Sequence, residues 1–446
     1  MKRLLTLCFS VVTLIGFSTS AFADIEFWTD QTQSDRVKTI RLLAEIFESL
    51  NPDIKVKVVP VDENDLASQM AAASAANKLP DIFQSGYEFM LAFGNEGMLD
   101  SAAAKEIIEA TGKSRFYRGA LQLLESPQKG VYYAVPFDGW IQGIWYRADW
   151  FKKAGLAPPT TWDNIMKAAK YFYQPSKNQY GILIGTKPEN YSEQVFTQFA
   201  ISNNVSQFDS KGRLVFNSPQ TLETLEFYKE LAKYNPPGPQ TWRARDYYLQ
   251  GKLAMFFYST YIMDDLALAE VAKGSLTKDH FKELSGGTFD VNLVKNTDMV
   301  STIQHKQPAG YGVVKAFGII NKRGGKRSEA IRFAKFLLEK SSYITYLHIQ
   351  PGGLNPMLRD IGRDEAFLND PRGIFKSYGE EKIQEILSGF DSIKTFSVVD
   401  GKTYPLAGQF FAKKIIPRMI YSTIFENVPT QKALATAEKE MKSLMK

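Results

Sequence analysis

The chain is poor in the residues that most often carry chemistry. One cysteine, Cys8, and three histidines, His280, His305 and His348, occur in 446 residues, and no two histidines stand at ligand spacing. CxxC and HExxH are absent, so a metal site has little support. The GxSxG elbow and the GxxxxGK[ST] phosphate loop are absent too, which removes the usual signatures of an activated serine and of nucleotide binding. After Phe17 no apolar run is long enough to span a bilayer, and the chain beyond it is expected to be soluble. Charge of one sign is also scarce: the formal net charge of +6 is small and dispersed, which argues against nucleic acid as a partner. The densest basic group, Lys322-Arg323 and Lys326-Arg327 around Gly324-Gly325, reads as a solvated turn or as a contact for a membrane partner or acidic ligand.

What is present begins with an address. Lys2 and Arg3, an apolar run over 4–17 and Ala21-Phe22-Ala23 form the pattern of a cleaved secretory signal over residues 1–23, too short for a spanning helix. Cys8 follows the bulky Leu7 inside that run, which argues against a lipoprotein anchor. The exported chain would carry +4 and no cysteine. Its roughly 420 residues suffice for two domains held together by their cores alone.

Residues 24–84 read as a parallel α/β unit. A short strand over 25–28 precedes a helix from Asp35, in which Val37, Ile40, Ala44, Phe47 and Leu50 recur at helical spacing until Asn51-Pro52. Ile54, Val56 and Val58 then alternate with Lys55 and Lys57, the period of a strand. Asp65 can cap an alanine-rich helix to Asn77, and a third strand covers 81–84. Ligands gather at the carboxyl ends of such strands, here Trp28-Thr29-Asp30 and Ser85-Gly86-Tyr87-Glu88.

Residues 131–164 form the passage to a second unit. Val135-Pro136 forces an extended chain, an aromatic and glycine-broken segment covers 137–145, and a short helix over 148–154 ends at Gly155. After Pro158-Pro159, Thr160 or Thr161 can cap a helix from Trp162 to about Tyr173. Strands are expected at 181–185 and 214–216 and a helix at 192–200; Ser218 with Pro219 starts another. In 246–266 a helix closes at Gly251, 253–257 reads as a buried strand, and Ser259 or Thr260 caps the next helix. Residues 279–310 carry little signal. A strand covers 311–320, Ser328 caps a helix to about Lys340, the chain breaks at 351–356, and Thr430 caps a last helix.

The wording of the passage, Tyr133-Ala134-Val135-Pro136, then WYRADWFKKAGL, then PPTTWDN, resembles a signature of the bacterial extracellular solute-binding proteins of ABC importers, the family that includes the maltose-binding protein. Tyr146-Arg147-Ala148-Asp149 departs mildly from the family's usual Tyr-Asn-Lys-Asp, while Gly251-Lys252-Leu253-Ala254-Met255 matches its GKxAM strand. The resemblance implies an α/β, two-lobe periplasmic-binding-protein fold of type II, each lobe a mixed or parallel sheet flanked by helices, with a ligand cleft between. Its lobe crossings imply lobe 1 as 24–136 plus 310–351 and lobe 2 as 137–309 plus 352–446. It also implies a monomer in the periplasm that delivers a solute to a permease in the inner membrane, without cofactor, metal or catalysis.

The resemblance places binding residues in the loops after the first and third strands, hence Trp28, Asp30, Ser85 and Tyr87, with Trp28 alternatively an ordinary buried aromatic. Asp138 aligns with a sugar-contacting carboxylate of the maltose-binding protein, or holds the crossing by a hinge hydrogen bond. Tyr261 falls where that protein stacks a tryptophan on its sugar, with Tyr258 close by. Gly353 and Asn355 stand at a crossing, and Phe411 near a further stacking aromatic. Trp140 and Trp242 are added from the residues themselves: a sugar has an apolar face and a rim of hydroxyls, and asks for an aromatic plate among acceptors and donors. Arg243 and Arg245 are either a solvated face or a fork for an acidic group. A sugar or sugar-like solute is the expected ligand. An acidic or phosphorylated polyol is one alternative; a secreted carbohydrate-active enzyme is another, because distant carboxylates could meet in the cleft although Asp62-Glu63 and Asp264-Asp265 are mere neighbours in sequence. Trp28 and Tyr261 are expected to face each other across the gap.

Overall fold

Strand β1 (Ala23–Thr29) lies between two parallel neighbours, β2 (Ile54–Pro60) and β3 (Ile82–Gly86), in a computed structural model that describes residues 23–322 and 324–445. Residues 1–22, with Cys8 and nearly all of the expected signal, and Arg323 of the basic turn lie outside the described residues. Elsewhere in that turn Lys322 pairs with Asp81 at 2.9 Å and Arg327 with Asp100 at 2.7 Å, so these charges are compensated within the fold. The helix Ser34–Leu50 buries Val37, Ile40, Ala44 and Phe47 of the expected stripe and adds Leu43, while Leu50, in its last turn, is exposed. Phe47 and Phe27 both meet Phe333 from the helix Arg327–Leu337, with ring centroids 5.1 and 5.5 Å away, and these rings fasten helix to sheet.

Further strands, β4 (Val135–Arg147), β5 (Tyr180–Leu183), β6 (Leu253–Ser259), β7 (Thr297–Val300), β8 (Thr302–Gln304) and β9 (Pro308–Ile319), extend the sheet in the order β2-β1-β3-β9-β4-β6-β5, with β7 on β4 and β8 on β9. The long strands β4 and β9 run antiparallel, and β4 serves both halves of the molecule. Its residues 135–142 pair with β9, which carries β3 on its other edge; residues 142–146 pair with β6 and 144–147 with β7. The register shifts between Pro136 and Asp138, a bulge where the halves join. The Tyr343 hydroxyl donates to the Phe137 carbonyl at this bulge and accepts the Met357 N–H at 2.8 Å.

Several sequence expectations need correction here. The glycines of 137–145 do not break the chain, because β4 is continuous for 13 residues. They allow neighbours to approach: a Cβ at Gly139 would stand 2.6 Å from the Val313 carbonyl oxygen, and one at Gly143 2.7 Å from that of Val300. The quiet stretch 279–310 supplies β7 and β8, and 214–216 makes only a bridge from Leu214 to Phe208. Ser259 and Thr260 cap nothing; Tyr261 occupies the cap position of the helix Ile262–Ala267, with no side-chain cap. Ser328 and Thr430 lie inside their helices rather than at the caps. Where a cap rested on a sharper signal it formed: Thr161 accepts the Asn164 N–H and Ser218 that of Thr221, with Pro219 first in its helix.

Candidate functional site

A cleft of about 530 Å³ lies between the two halves. The loops at the carboxyl ends of β1 and β2 bring Asp30, Gln31 and Arg36, and Asp62, Glu63 and Asn64. Trp140 and Gln142 enter from β4 and Lys315 from β9. The opposite wall is the start of the helix Asn190–Ser202, with Glu189, Asn190 and Tyr191, and the segment that carries Trp242, Arg243, Arg245, Tyr258, Tyr261, Asp264 and Asp265. Gln350 and Arg372 complete one end.

Lys315 is the electrostatic centre of the floor. Only 6% exposed, it pairs with Asp30 at 2.9 Å and donates to the Tyr261 hydroxyl at 3.3 Å. Burial draws its ammonium down, but Asp30, Tyr261, Asp138 and Glu63 more than reverse this and hold it above its ordinary value. Burial pushes the Tyr261 hydroxyl up to about 12, so the phenol stays neutral. The Tyr261 ring rests on the backbone of Gly353, where a Cβ would meet its Cδ1 at 2.5 Å. Arg36 and Lys315 each stand 5.4 Å from the ring centroid. Trp242, 36% exposed, is the most exposed aromatic of the cleft, with the Arg245 and Arg243 guanidiniums 5.3 and 5.8 Å from its ring centroid.

Eight carboxylates and five cations line this cleft. The cations already have partners. Besides the Lys315 pair, Arg245 meets Asp265 at 3.1 Å and donates to the Tyr258 hydroxyl at 2.8 Å; Arg243 meets Asp246 at 3.3 Å. Arg372 stands 3.8 Å from Asp264, and Arg36 donates to Gln31 at 3.3 Å. Burial raises Asp264 and Asp265 above the usual carboxylate range, with the arginines opposing it. Unmet capacity remains on both sides: Glu189 Oε1 and Asn190 Oδ1 are buried acceptors without a hydrogen-bond partner, and Nε of Arg243 and of Arg245 are buried donors without one. Asn190 Nδ2 donates to Glu63 Oε1 at 3.2 Å, and its backbone N–H to Asn64 Oδ1 at 3.4 Å. Gln31 reaches the Tyr261 hydroxyl at 3.4 Å, so the two walls touch across the cleft in this structure.

Of the twelve candidates from sequence, Asp30, Trp140, Trp242, Tyr258 and Tyr261 line the cleft. Trp28 does not, and the pair of rings facing across the gap is corrected. As an interior strand residue Trp28 follows the alternation of β1 onto the face of Glu26, to which its Nε1 donates at 2.6 Å. Ser85 is fully buried opposite Ala316. Tyr87 begins a helix, Tyr87–Asn95, and with Phe411 borders a separate small hollow. Asp138 takes the hinge alternative. Opposite Lys315 in the β4–β9 register, it accepts from Gln84 at 2.5 Å and from Tyr346 at 3.2 Å, and burial lifts it to about 7 despite the Lys315 charge. Gly353 supports Tyr261 from behind. Asn355 ties the returning chain to β4 through the Gly139 carbonyl at 3.2 Å and to the Thr260 hydroxyl at 3.3 Å.

Sequence reasoning missed Glu63, Glu189, Asn190 and Lys315. The strand-end rule that selected Asp30 would have selected the Asp62-Glu63-Asn64 loop after β2, and a lone lysine inside the apolar run of β9 was a visible signal.

Among described residues, no group of three or more histidines, cysteines and acids could hold a metal, and no helix is long and apolar enough to cross a membrane. A putative ABC transporter periplasmic-binding protein, YcjN, of Escherichia coli K12 is 25% identical over 423 residues, covering 94% of this chain and 92% of the relative. A mannitol-binding protein of Pseudomonas aeruginosa is 29% identical over 217 residues, 46% of this chain and 47% of its own. The solved structure of an ABC transporter solute-binding protein from Agrobacterium radiobacter K84 in complex with ribitol superposes with a TM-score of 0.74 at 20% identity, over 95% of this chain and 98% of that one. Another from Thermotoga lettingae, bound to α-D-tagatose, reaches 0.74 at 18% identity, over 95% and 100%. This two-lobe fold and the match of residues 32–343 to the family model show that the chain belongs to the bacterial extracellular solute-binding proteins.

Proposed function

We propose that this protein captures a neutral sugar or polyol between its lobes and delivers it to the permease of an ABC importer. The observation that carries the neutral reading is the state of the cleft charges: each lining cation already stands in an ion pair or hydrogen bond, with only Nε of Arg243 and Arg245 left unbonded, while buried acceptors on Glu189 and Asn190 wait for donors. Hydroxyl groups supply such donors. A phosphate would bring more negative charge to a cleft that already holds eight carboxylates against five cations. Trp242 offers a plate for the apolar face of the solute, beside Trp140 and Tyr258. Asp30, Glu63, Glu189 and Asn190 take its hydroxyls.

The lobes meet through β4 and β9, with crossings near Pro136, Gly310 and Pro351 as the boundaries. Solute contacts both walls only when they are shut, and so shifts the open and shut populations by its preference for the shut form. A dissociation constant near micromolar, about −8 kcal/mol, suits capture followed by release. Engagement of the cleft acids by Lys315, Arg245, Arg372 and Asn190 supports binding without catalysis. The leader is removed near Ala23, which leaves the protein in the periplasm.

Thermal denaturation against ribitol, D-mannitol, D-tagatose, maltose and sn-glycerol 3-phosphate tests the reading. A solute at one hundred times its dissociation constant adds about 2.7 kcal/mol of stability. Neutral members of the panel are expected to raise the melting temperature and the phosphate to leave it unchanged. Stabilisation by the phosphate alone would sink the neutral assignment. Release of reducing sugar from added oligosaccharide by the purified protein would sink the non-catalytic one.

A further inference from the structure

Beside the cleft lies a second hollow, about 20 Å³, room for little more than one water. It is lined by two carboxylates from opposite halves of the molecule, Glu88 in the helix Tyr87–Asn95 after β3 and Glu193 in the helix Asn190–Ser202 after β5. Glu88 Oε1 accepts from the Tyr311 hydroxyl at 3.1 Å. Glu193 Oε2 and Gln207 Oε1, both buried at the same hollow, have no partner. No lysine, arginine or histidine lines it.

Two like charges in so confined a space without a counter-ion do not both persist; in such pairs a proton takes the place of the missing cation. We propose that shutting the lobes takes up a proton at the Glu88–Glu193 pair, so that solute capture weakens as pH rises. This rests on the reading of a hinged receptor and is independent of which solute it takes.

The surroundings leave no other source of compensation. Facing Glu88 are Tyr87 from its own helix, Tyr311 from β9 and, from the loop after β2, Glu63, whose charge adds to the repulsion. The helix Leu406–Ala412 contributes only Ala407, Gly408 and Phe411, and the segment before it Phe396 and Ser397, none titratable near neutrality. A metal as counter-charge would want more ligands, and among described residues no metal-competent group occurs. Burial pushes both carboxyls up to about 8, Glu88 by desolvation with Glu63 adding, Glu193 by desolvation with Glu88 adding.

When the lobes part, the carboxyls regain water and an ordinary value of about 4.3, so the open form gives up protons that the shut form keeps. Closure is therefore favoured at low pH and loses ground from about pH 5 to about 8, roughly tenfold per pH unit for each proton taken up.

The test uses whichever of ribitol, D-mannitol, D-tagatose and maltose stabilises the protein most. Its affinity is measured by calorimetry from pH 5.5 to 8.5, in two buffers of different ionisation heat. Wild type is expected to lose affinity at least tenfold per pH unit up to pH ~7.5 and to absorb at least one proton on binding. E88Q/E193Q, which keeps the shapes without the charge, is expected to lose that slope and to bind more tightly than wild type at pH 8. E193Q alone should reduce the slope if the double variant does not fold. Wild-type affinity independent of pH, or a slope unchanged by these substitutions, overturns the proposal. If no solute of the panel binds, the functional reading has failed on its own account. Small-angle scattering of the solute-free protein then decides: the radius of gyration should be smaller at pH 5.5 than at 8.5 in wild type and not in E88Q/E193Q, and an unchanged wild-type radius overturns the proposal.

Discussion

Replacing Lys315 by methionine isolates the electrostatics of the hinge. The side chain keeps its length and apolar stem but loses the ammonium that meets Asp30 at 2.9 Å and faces Asp138 across the β4–β9 register. Removing one partner of a buried pair costs about 3–5 kcal/mol, because the charge left behind has neither water nor a counter-ion. The loss should depend on pH. Burial already raises Asp138 to about 7, and it raises Glu63 as well; in both cases Lys315 is what holds the value down. Without it both values rise further. A carboxyl raised in the folded state keeps a proton that the unfolded chain gives up, so stability falls as pH climbs from the unfolded value toward the folded one. Urea denaturation of K315M should therefore show about 3–5 kcal/mol of destabilisation at pH 8 and only about 1–2 kcal/mol at pH 5, where the carboxyls accept protons cheaply. Adding D30N removes one stranded charge and should recover part of the pH 8 loss, a coupling that a double-mutant cycle measures directly. Equal losses at the two pH values would refute this reasoning and mean that Lys315 matters for packing alone.

Three other perturbations separate scaffold from site. Phe47→Ala opens a void between the Phe333 and Phe336 rings and should cost about 3–5 kcal/mol in denaturant while leaving solute affinity within twofold. Gly353→Ala places a methyl 2.5 Å from Tyr261 Cδ1 and must push that ring into the cleft; calorimetry should show affinity falling at least tenfold, with a stability loss of only about 1–3 kcal/mol. Asn190→Ala removes the donor to Glu63 and should weaken binding about five- to tenfold, the worth of one net hydrogen bond, with scattering showing a larger share of open molecules.

The sequence was most readable where one residue had one dominant reason to be there. Helical spacing in 35–50 and alternation in 54–58 report burial on one face, and both elements formed, with only Leu50 of the expected stripe left exposed at the helix end. Gly155 and Ser218-Pro219 mark helix ends by backbone geometry alone, and both stood where expected. It was least readable where a residue answers to partners remote in sequence. Gly139 and Gly143 look like breaks, yet they let Val313 and the β7 strand approach β4. Trp28 sits near a strand end and looks like a ligand plate, but its pairing on both edges sends the ring to the face of Glu26. Asp138 and Lys315 lie 177 positions apart, and only the antiparallel register makes them neighbours. The cleft residues inside strands, Trp140 and Lys315, become a site only once β9 lies against β4.

The contacts across the cleft itself are polar, while an apolar seam, with the Phe89 and Phe411 ring centroids 5.7 Å apart, joins the halves beside it. Gln31 to Tyr261, Asn190 to Glu63 and Asn190 to Asn64 span 3.2–3.4 Å, at the long end of hydrogen bonding. Each is worth about 0.5–1.5 kcal/mol net, because water replaces it when the lobes part. Bonds to bound solute then shift the balance, and a differential affinity of about 5.5 kcal/mol is enough to move such a protein from nearly all open to nearly all shut. A continuous β4 strand running through both halves makes this reversible. Asp138, Gln84 and Tyr346 hydrogen-bond at the bulge around Phe137, the point about which we propose that the lobes turn, so that opening would expose the cleft walls and leave the two cores intact.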